Sequence, residues 1–291
     1  MKKISLIYII VASVLWGTSG IFYNLLEPYG FSPLHMTAMR GIVSAFFFAI
    51  YAVVSNRKLF KVTAKELALF FCCGMCVFGA AACYYGAIKF SSVSTAVILM
   101  YTAPIFVMTY SVAFLGEKLT SAKAVSIVCM LIGCALVSGV IGGMKFSFLG
   151  ILLGLGAGLT YGGYNIFAKI AMMKRANSLS TSLYSFIIMG TAAALVCNLP
   201  KAVVITATNP AIIIPLIIGI GVCTCVLPYF LYTLALKDVS AGTASALGII
   251  EPMAATIFSV AFFDEKLGVA SICGIILILG AVMILSRGEK E

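Results

Sequence analysis

The chain carries one pattern twice. Lys89-Phe90-Ser91-Ser92-Val93-Ser94-Thr95-Ala96 returns as Lys237-Asp238-Val239-Ser240-Ala241-Gly242-Thr243-Ala244. Pro104 returns as Pro252, Ser111-Val112-Ala113-Phe114 as Ser259-Val260-Ala261-Phe262, and Glu117-Lys118-Leu119 as Glu265-Lys266-Leu267, all 148 positions apart. Nearer the start, Leu15-Trp16-Gly17 and Ile21-Phe22 align with Thr160-Tyr161-Gly162 and Ile166-Phe167 at a spacing of 145. Any fold for this chain is therefore built from two related halves, 1–141 and 147–286.

Hydropathy says what each half is made of. The chain is 63% hydrophobic and only 10% charged, whereas a soluble domain carries roughly 25% charged residues. It cannot cover a water-facing surface. Crossing a bilayer takes about 20 apolar residues, and ten such runs follow one another: Ile4–Leu26, Ser32–Val54, Leu67–Ile88, Val93–Leu115, Ala122–Val140, Phe148–Ala171, Leu179–Leu199, Pro210–Leu236, Ala241–Phe263 and Val269–Leu285. A β-barrel needs short alternating segments, and these runs are too long and too uniform. Met1-Lys2-Lys3 before an apolar run imitates a secretory signal, but the run continues past Trp16 into Tyr23 without a cleavage site and reads as the first span. The expected fold is an all-α polytopic membrane protein of ten transmembrane helices.

Lys and Arg gather in cytoplasmic loops. With the N-terminus inside, Lys2, Lys3, Arg57, Lys58, Lys61, Lys65, Lys118, Lys123, Lys169, Lys174, Arg175, Lys237, Arg287 and Lys290 fall on the cytoplasmic side, and Lys89, Lys145, Lys201 and Lys266 outside. Both termini are expected in the cytoplasm of a cell whose plasma membrane holds the chain. The net charge of +10 then reflects this bias and attraction to anionic lipid; no clustered basic face suits nucleic acid. All ten cysteines fall within spans. Cys72 and Cys76 share one helix face, yet with one histidine in the chain and no nearby carboxylate they read as small packing residues, and no metal or cofactor is expected.

Five spans per half is an odd number, so the second half enters the membrane from the opposite side. Glu117-Lys118 is then cytoplasmic and Glu265-Lys266 external. Inverted repeats are the architecture of secondary transporters, with the binding site at the midplane between the halves.

Trp16-Gly17 late in span 1, Arg40 seven residues after Pro33, Pro104 in span 4 followed by Gly116-Glu117-Lys118-Leu119, and Glu251-Pro252 in span 9 followed by Asp264-Glu265-Lys266-Leu267 form an ordered set. In this set the chain resembles the ten-helix, EamA-type transporters of the drug/metabolite transporter superfamily, over its whole length and in both repeats. The resemblance implies movement of amino acids, related metabolites or drugs without ATP-binding machinery. The chain departs from the family at Asn24, where span 1 often closes with lysine, although Lys169 holds the matching place in span 6. The second copy of the tryptophan is Tyr161.

Glu251 lies ten residues into span 9, roughly 15 Å along it, near the bilayer centre. A charge there costs at least about 2.5–3.5 kcal/mol on insertion scales. It reads either as a proton-coupling or substrate-ammonium site, since burial of a carboxylate favours its protonated form, or as a structural acid paired to a polar neighbour. Pro252 and its copy Pro104 interrupt backbone bonding and are the expected hinges; Ala103 stands where the first copy would carry the acid. Arg40 stays protonated; it snorkels to the interface, pairs with Glu251 or binds a substrate carboxylate. His35 reads as a solvated interfacial residue. Trp16, Tyr84, Tyr101, Tyr161, Tyr164, Asn165 and Tyr232, with Tyr85 and Tyr229 beside them, are expected to line the centre, as helix packing or as ligand contacts. Gly150, Gly154, Gly158 and Gly162 form a ridge of small residues suited to close helix contact; Ser5, Ile9, Ser13 and Gly17 are its rougher copy.

The expected function is alternating-access transport of small organic solutes, amino acids or related metabolites, with export as the direction. A multidrug or cationic-drug exporter and a nucleotide-sugar-like antiporter are the alternatives within transport, the latter disfavoured by the single mid-membrane cation. An intramembrane enzyme is the alternative from another class. The chain lacks His-Glu-x-x-His, Gly-x-Ser-x-Gly and paired membrane aspartates, so it is read as no enzyme. A channel or receptor explains the repeat less well. Ten helices complete both halves, so a monomer suffices.

Overall fold

The computed structural model describes residues 2–138, 147–263 and 268–288. Lys145, Lys290 and the Asp264-Glu265-Lys266-Leu267 motif lie outside the described residues. Every regular element described is helical: α1 (Lys2–Gly17), α2 (Ser19–Leu26), α3 (Pro33–Ser55), α4 (Ala64–Phe90), α5 (Val93–Met100), α6 (Ala103–Phe114), α7 (Ser121–Val137) and α8 (Phe148–Met173). They are followed by α9 (Ser178–Val196), α10 (Leu199–Thr208), α11 (Pro210–Gly221), α12 (Leu227–Ala235), α13 (Ala241–Leu247), α14 (Ile250–Phe263) and α15 (Val269–Gly288).

Among the described residues, eight continuous or jointed helical stretches are long and apolar enough to cross a membrane: Lys3–Tyr29, Pro33–Ser55, Ala64–Phe90, Val93–Phe114, Phe148–Met173, Ser178–Val196, Pro210–Ala235 and Ala241–Phe263. Ser121–Val137, Leu199–Thr208 and Val269–Leu285 are shorter apolar helices. Many of the most exposed side chains are themselves apolar, Phe46, Val54, Phe148, Leu195 and Phe262 among them, as lipid contact requires. The sequence pattern contains no sign of α10. Its ten residues reach only about 15 Å, and it packs Ala202 and Ile205 against Leu26, Phe31 and Ile213 in a small apolar cluster apart from the main core.

Helices starting at the ends of the bundle are capped by short polar side chains: Ser32, Thr63, Ser92, Thr120, Ser147, Asn177 and Ser240 each accept a bond from a first-turn N–H. His35 completes one of these caps. Its Nδ1 accepts from the Ser32 N–H at 3.2 Å and only 5% of its surface is exposed, so the expectation of a solvated histidine is corrected. Helices starting at mid-bundle lack such caps. Three spans are jointed instead, between α1 and α2 at Thr18, between α5 and α6 at Tyr101-Thr102, and between α13 and α14 at Gly248-Ile249. Hydroxyls repair two of the joints. Thr18 Oγ1 donates to Leu15 O at 2.7 Å and Thr102 Oγ1 to Leu99 O at 2.6 Å. A fourth span is wound wide rather than broken: Val222–Val226, between α11 and α12, forms a π-helical turn ahead of Pro228, whose missing N–H an α-turn would demand.

The helices pair across the two halves. α4 packs on α8, and α12 on α1; α5 and α6 lie along α8, and α13 and α14 along α1; α3 crosses α9, and α7 lies on α15. Small residues set these approaches. A Cβ on Gly41 would meet Gly190 Cα at 2.7 Å, and one on Gly133 would meet Gly274 O at 2.9 Å. The α8 ridge works in the same way and has a particular target. A Cβ on Gly158 would meet Leu99 O at 2.8 Å and Met100 O at 3.1 Å, the carbonyls at the α5–α6 joint. On the other side, a Cβ on Gly17 would meet Glu251 O at 3.0 Å, at the α13–α14 joint.

Gly158→Val therefore drives a side chain into fixed carbonyls and is expected to destabilise the purified protein by about 1–3 kcal/mol. Gly20→Ala meets nothing within 4 Å and is expected to leave thermal unfolding unchanged.

Candidate functional site

The joints at Tyr101 and Gly248 bring the two halves' defects to one place. Pro252 has no N–H to offer Gly248 O, and that carbonyl instead accepts from the Glu251 N–H at 3.0 Å. The tight turn fixes Glu251 at the start of α14, partly buried. From the other joint, the Tyr101 hydroxyl lies within electrostatic reach of the Glu251 carboxylate. By the repeat spacing, Ala103 and Ile249 are the equivalents of Glu251 and Tyr101, and neither carries a polar side chain. The acid of the second half faces the phenol of the first.

Arg40 turns inward from α3. Its guanidinium lies within electrostatic reach of Cys225, Tyr85, Tyr229 and Glu251, and its Nε is buried without a hydrogen-bond partner. Of the three readings for this residue, snorkelling to the interface does not fit. Ser44 anchors its backbone to the π-helical turn, donating to Arg40 O at 2.6 Å and reaching Gly221 O at 3.3 Å.

Aromatic rings build the wall between these charges. The Trp16 ring centroid lies 5.1 Å from Tyr229, 5.2 Å from Tyr232 and 6.4 Å from Tyr161, and Tyr161 lies 6.3 Å from Tyr101. Trp16 is 6% exposed, and its Nε1 also lacks a partner. Tyr84 stacks edge-on with Tyr85 at 5.4 Å, within electrostatic reach of Glu251. A second layer lies behind. The Tyr164 hydroxyl bonds Thr233 Oγ1 at 2.8 Å, and Asn165 Nδ2 donates to Tyr161 O at 3.1 Å and Ser245 Oγ at 3.4 Å. Tyr232 is fully enclosed. Trp16, Arg40, Tyr84, Tyr101, Tyr161 and Glu251 thus come together, while Tyr164, Asn165 and Tyr232 brace them. Phe186, 4.9 Å from Tyr229, and the polar partners Thr233 and Ser245 complete the bracing. They lie in apolar or small-residue stretches where nothing in the sequence marks them.

One turn beyond Glu251, a cavity of about 310 Å³ opens between α2 and α14. Gly20, Asn24, Ala255, Thr256, Ser259 and Ser271 line it. A groove of about 440 Å³ between α7 and α15 is larger, but its lining of apolar residues and two cysteines suits lipid. An unsatisfied buried donor costs about 1–3 kcal/mol. Trp16 Nε1 and Arg40 Nε therefore favour any guest that accepts hydrogen bonds, and the Glu251 carboxylate favours one that donates them. The aromatic wall suits apolar bulk between the two.

Trp16 tests this division of labour. Trp16→Ala removes contacts to three rings and is expected to cost about 3 kcal/mol or more in thermal unfolding. Trp16→Phe keeps one aromatic ring in the cluster, deletes the unpaired N–H together with part of the ring volume, and is expected to cost clearly less than the alanine change.

Comparison with known proteins agrees with this architecture. The profile of the EamA-like transporter family matches the chain twice, over residues 3–139 and 148–287. An uncharacterized transporter of Bacillus subtilis (strain 168), YwfM, is 28% identical over 98% of this chain and 94% of its own length. An uncharacterized transporter of Clostridium kluyveri is 26% identical over 100% of this chain and 95% of its own, and one of Archaeoglobus fulgidus 28% identical over 96% and 95%. A solved crystal structure shares the fold, with a TM-score of 0.78 over 99% of both chains at 16% identity. The two family matches together span nearly all of the chain: it belongs to the EamA-like transporter family.

Proposed function

We propose that the protein is a secondary transporter that moves small organic solutes across the cytoplasmic membrane by alternating access. Amino acids and related metabolites are its first candidates, and export is its working direction. The observation that carries this reading is the meeting of two interrupted spans at Glu251 and Tyr101. Discontinuous helices at a repeat interface are where such carriers hold substrate and coupling ion. A solute with an anionic and a cationic group answers Arg40 and Trp16 on one side and Glu251 on the other. Cationic drugs are the second reading; the fixed charge of Arg40 beside Glu251 disfavours them.

The ten-span inverted repeat is part of the same proposal, as are cytoplasmic termini and a monomeric working unit. Exchanging the two halves preserves the main helix pairings, which supports a pseudo-two-fold arrangement. The α4–α8 pair becomes α12–α1, α5–α6 on α8 becomes α13–α14 on α1, and the α3–α9 and α7–α15 pairs map onto themselves. Protons are the proposed coupling ion. A proton on Glu251 removes the charge that Arg40 and Tyr101 hold, freeing both for the solute.

Reconstituted into proteoliposomes, Glu251→Gln is expected to abolish solute movement driven by a pH gradient while the protein remains inserted; wild-type rates would remove Glu251 as the coupling site. Lys118 and Lys266, replaced one at a time by cysteine for labelling with an impermeant maleimide in oriented vesicles, are expected to react from opposite faces. Reaction of both from one face would overturn the inversion.

A further inference from the structure

The Gly-Glu-Lys-Leu segment after α6 has no part in the central site, yet it links the two halves at its end of the bundle. Gly116 turns the chain in the left-handed region at φ +70°, a conformation that costs glycine little. The Glu117 N–H then closes back onto Ser111 O at 3.1 Å. The Glu117 carboxylate reaches across to the other half, accepting from the Ala241 N–H at 2.7 Å and the Gly242 N–H at 3.4 Å. These are the first two residues of α13, the half-helix that runs directly to the joint before Glu251.

Three further elements converge on the same turn. Lys123 Nζ donates to Ser240 Oγ at 3.3 Å, Ser5 Oγ to Asp238 Oδ2 at 2.7 Å, and Lys169 Nζ to Leu236 O and Val239 O, each at 2.8 Å. α6, α7, α1 and α8 are thus all tied to the segment that enters α13. Gly242 makes the fit: a Cβ there would meet Met108 Sδ at 2.9 Å and Glu117 Oε2 at 3.2 Å. Its repeat equivalent, Ser94, carries a side chain.

The two half-helices differ accordingly. All seven residues of α13 are buried, whereas Thr95 and Ala96 are the only buried residues of α5, its repeat equivalent. The cavity lined by Gly20 and Asn24 of α2 and Ala255, Thr256 and Ser259 of α14 lies beyond the joint from α13. The α13 side of the joint is closely packed and the α14 side holds a cavity.

We propose that Glu117 is the latch that holds the α13 end shut, a positioning residue that sets which face of the membrane the Glu251 site opens to. The proposal rests on the alternating-access reading above. Release of two amide bonds and their charge lets α13 leave α6, and the opposite end closes over α5 as this one opens. By the charge distribution of the loops, the latched end is the cytoplasmic one.

Hydrogen exchange on the purified full-length protein in lipid nanodiscs tests the latch without any solute. Glu117→Ala is expected to speed exchange of amides 241–247 roughly tenfold or more, the scale of a lost charge-assisted bond, and to slow exchange of 93–100. Peptides from α3 and α9 should remain unchanged. Glu117→Gln keeps an acceptor oxygen without the charge and should give a smaller shift in the same two directions, which serves if the alanine variant folds poorly. Unchanged exchange at 241–247 overturns the latch. Faster exchange there with 93–100 unchanged reduces Glu117 to a local cap and also overturns it. Failure of the transport reading itself registers separately, in the Glu251→Gln assay.

Discussion

In hydrocarbon no water is at hand to satisfy a freed carbonyl or amide, so a spanning helix can break only where the protein or a cavity covers the break. Much of this molecule follows from the need to cover such breaks. Pro104 and Pro252 interrupt two spans at mid-bundle, and α8 and α1 lie along them. The glycine ridge of α8 lets its backbone approach the carbonyls of Leu99 and Met100. Gly17 lets α1 reach the Glu251 carbonyl on the other side. Thr102 and Thr18 supply hydroxyls where no neighbouring backbone can. These residues are small or hydroxylated because a larger apolar side chain would either push the cover away or leave a carbonyl without a partner.

Around this shared frame the two halves have diverged in complementary ways. Glu251 faces Tyr101, and their repeat equivalents are Ala103 and Ile249. Two acids facing each other at mid-membrane would be costly, and two phenols would leave no charge for a solute or proton to act on. One acid facing one phenol, with Arg40 within electrostatic reach, places a single responsive group where both jointed spans can feel it. The same logic applies at the latched end, where Gly242 admits a close contact that Ser94 does not.

The eight long apolar stretches among the described residues were legible in the sequence because hydropathy over 20 residues averages out the rotation of each helix. The prolines marked the two central joints for the same reason: proline's defect is local. The joint at Thr18 and the π-helical turn at Val222–Val226 were not legible, since the first has no proline and the second widens the winding ahead of Pro228 without breaking the span, which hydropathy does not register. His35 looked like an interfacial side chain, but its role depends on the backbone at Ser32, three residues away, adopting a cap. Tyr164 and Asn165 looked equivalent to Trp16 and Tyr101 as polar groups in mid-span. What separates them is which way each helix faces, and that depends on partners such as Thr233 and Ser245, distant in sequence. α10 was invisible because its ten residues, Lys201, Thr206 and Thr208 among them, fall in the gap between two spans and read as a loop.

The unpaired donors at the centre carry the functional argument furthest. A core selected for stability alone would give Trp16 Nε1 and Arg40 Nε partners, since each buried donor left unmet costs as much as a good hydrogen bond contributes. Asn165 and Tyr164 on α8 do have partners, so the fold is able to supply them within the same aromatic cluster. The bracing pair on α8 is satisfied and the donors on α1 and α3 are not, so the boundary falls between helices. Such a boundary is expected where the missing partner arrives from outside the chain. Because the donors stand on α1 and α3 and the acid on α14, a guest that satisfied all three would tie elements from both halves together.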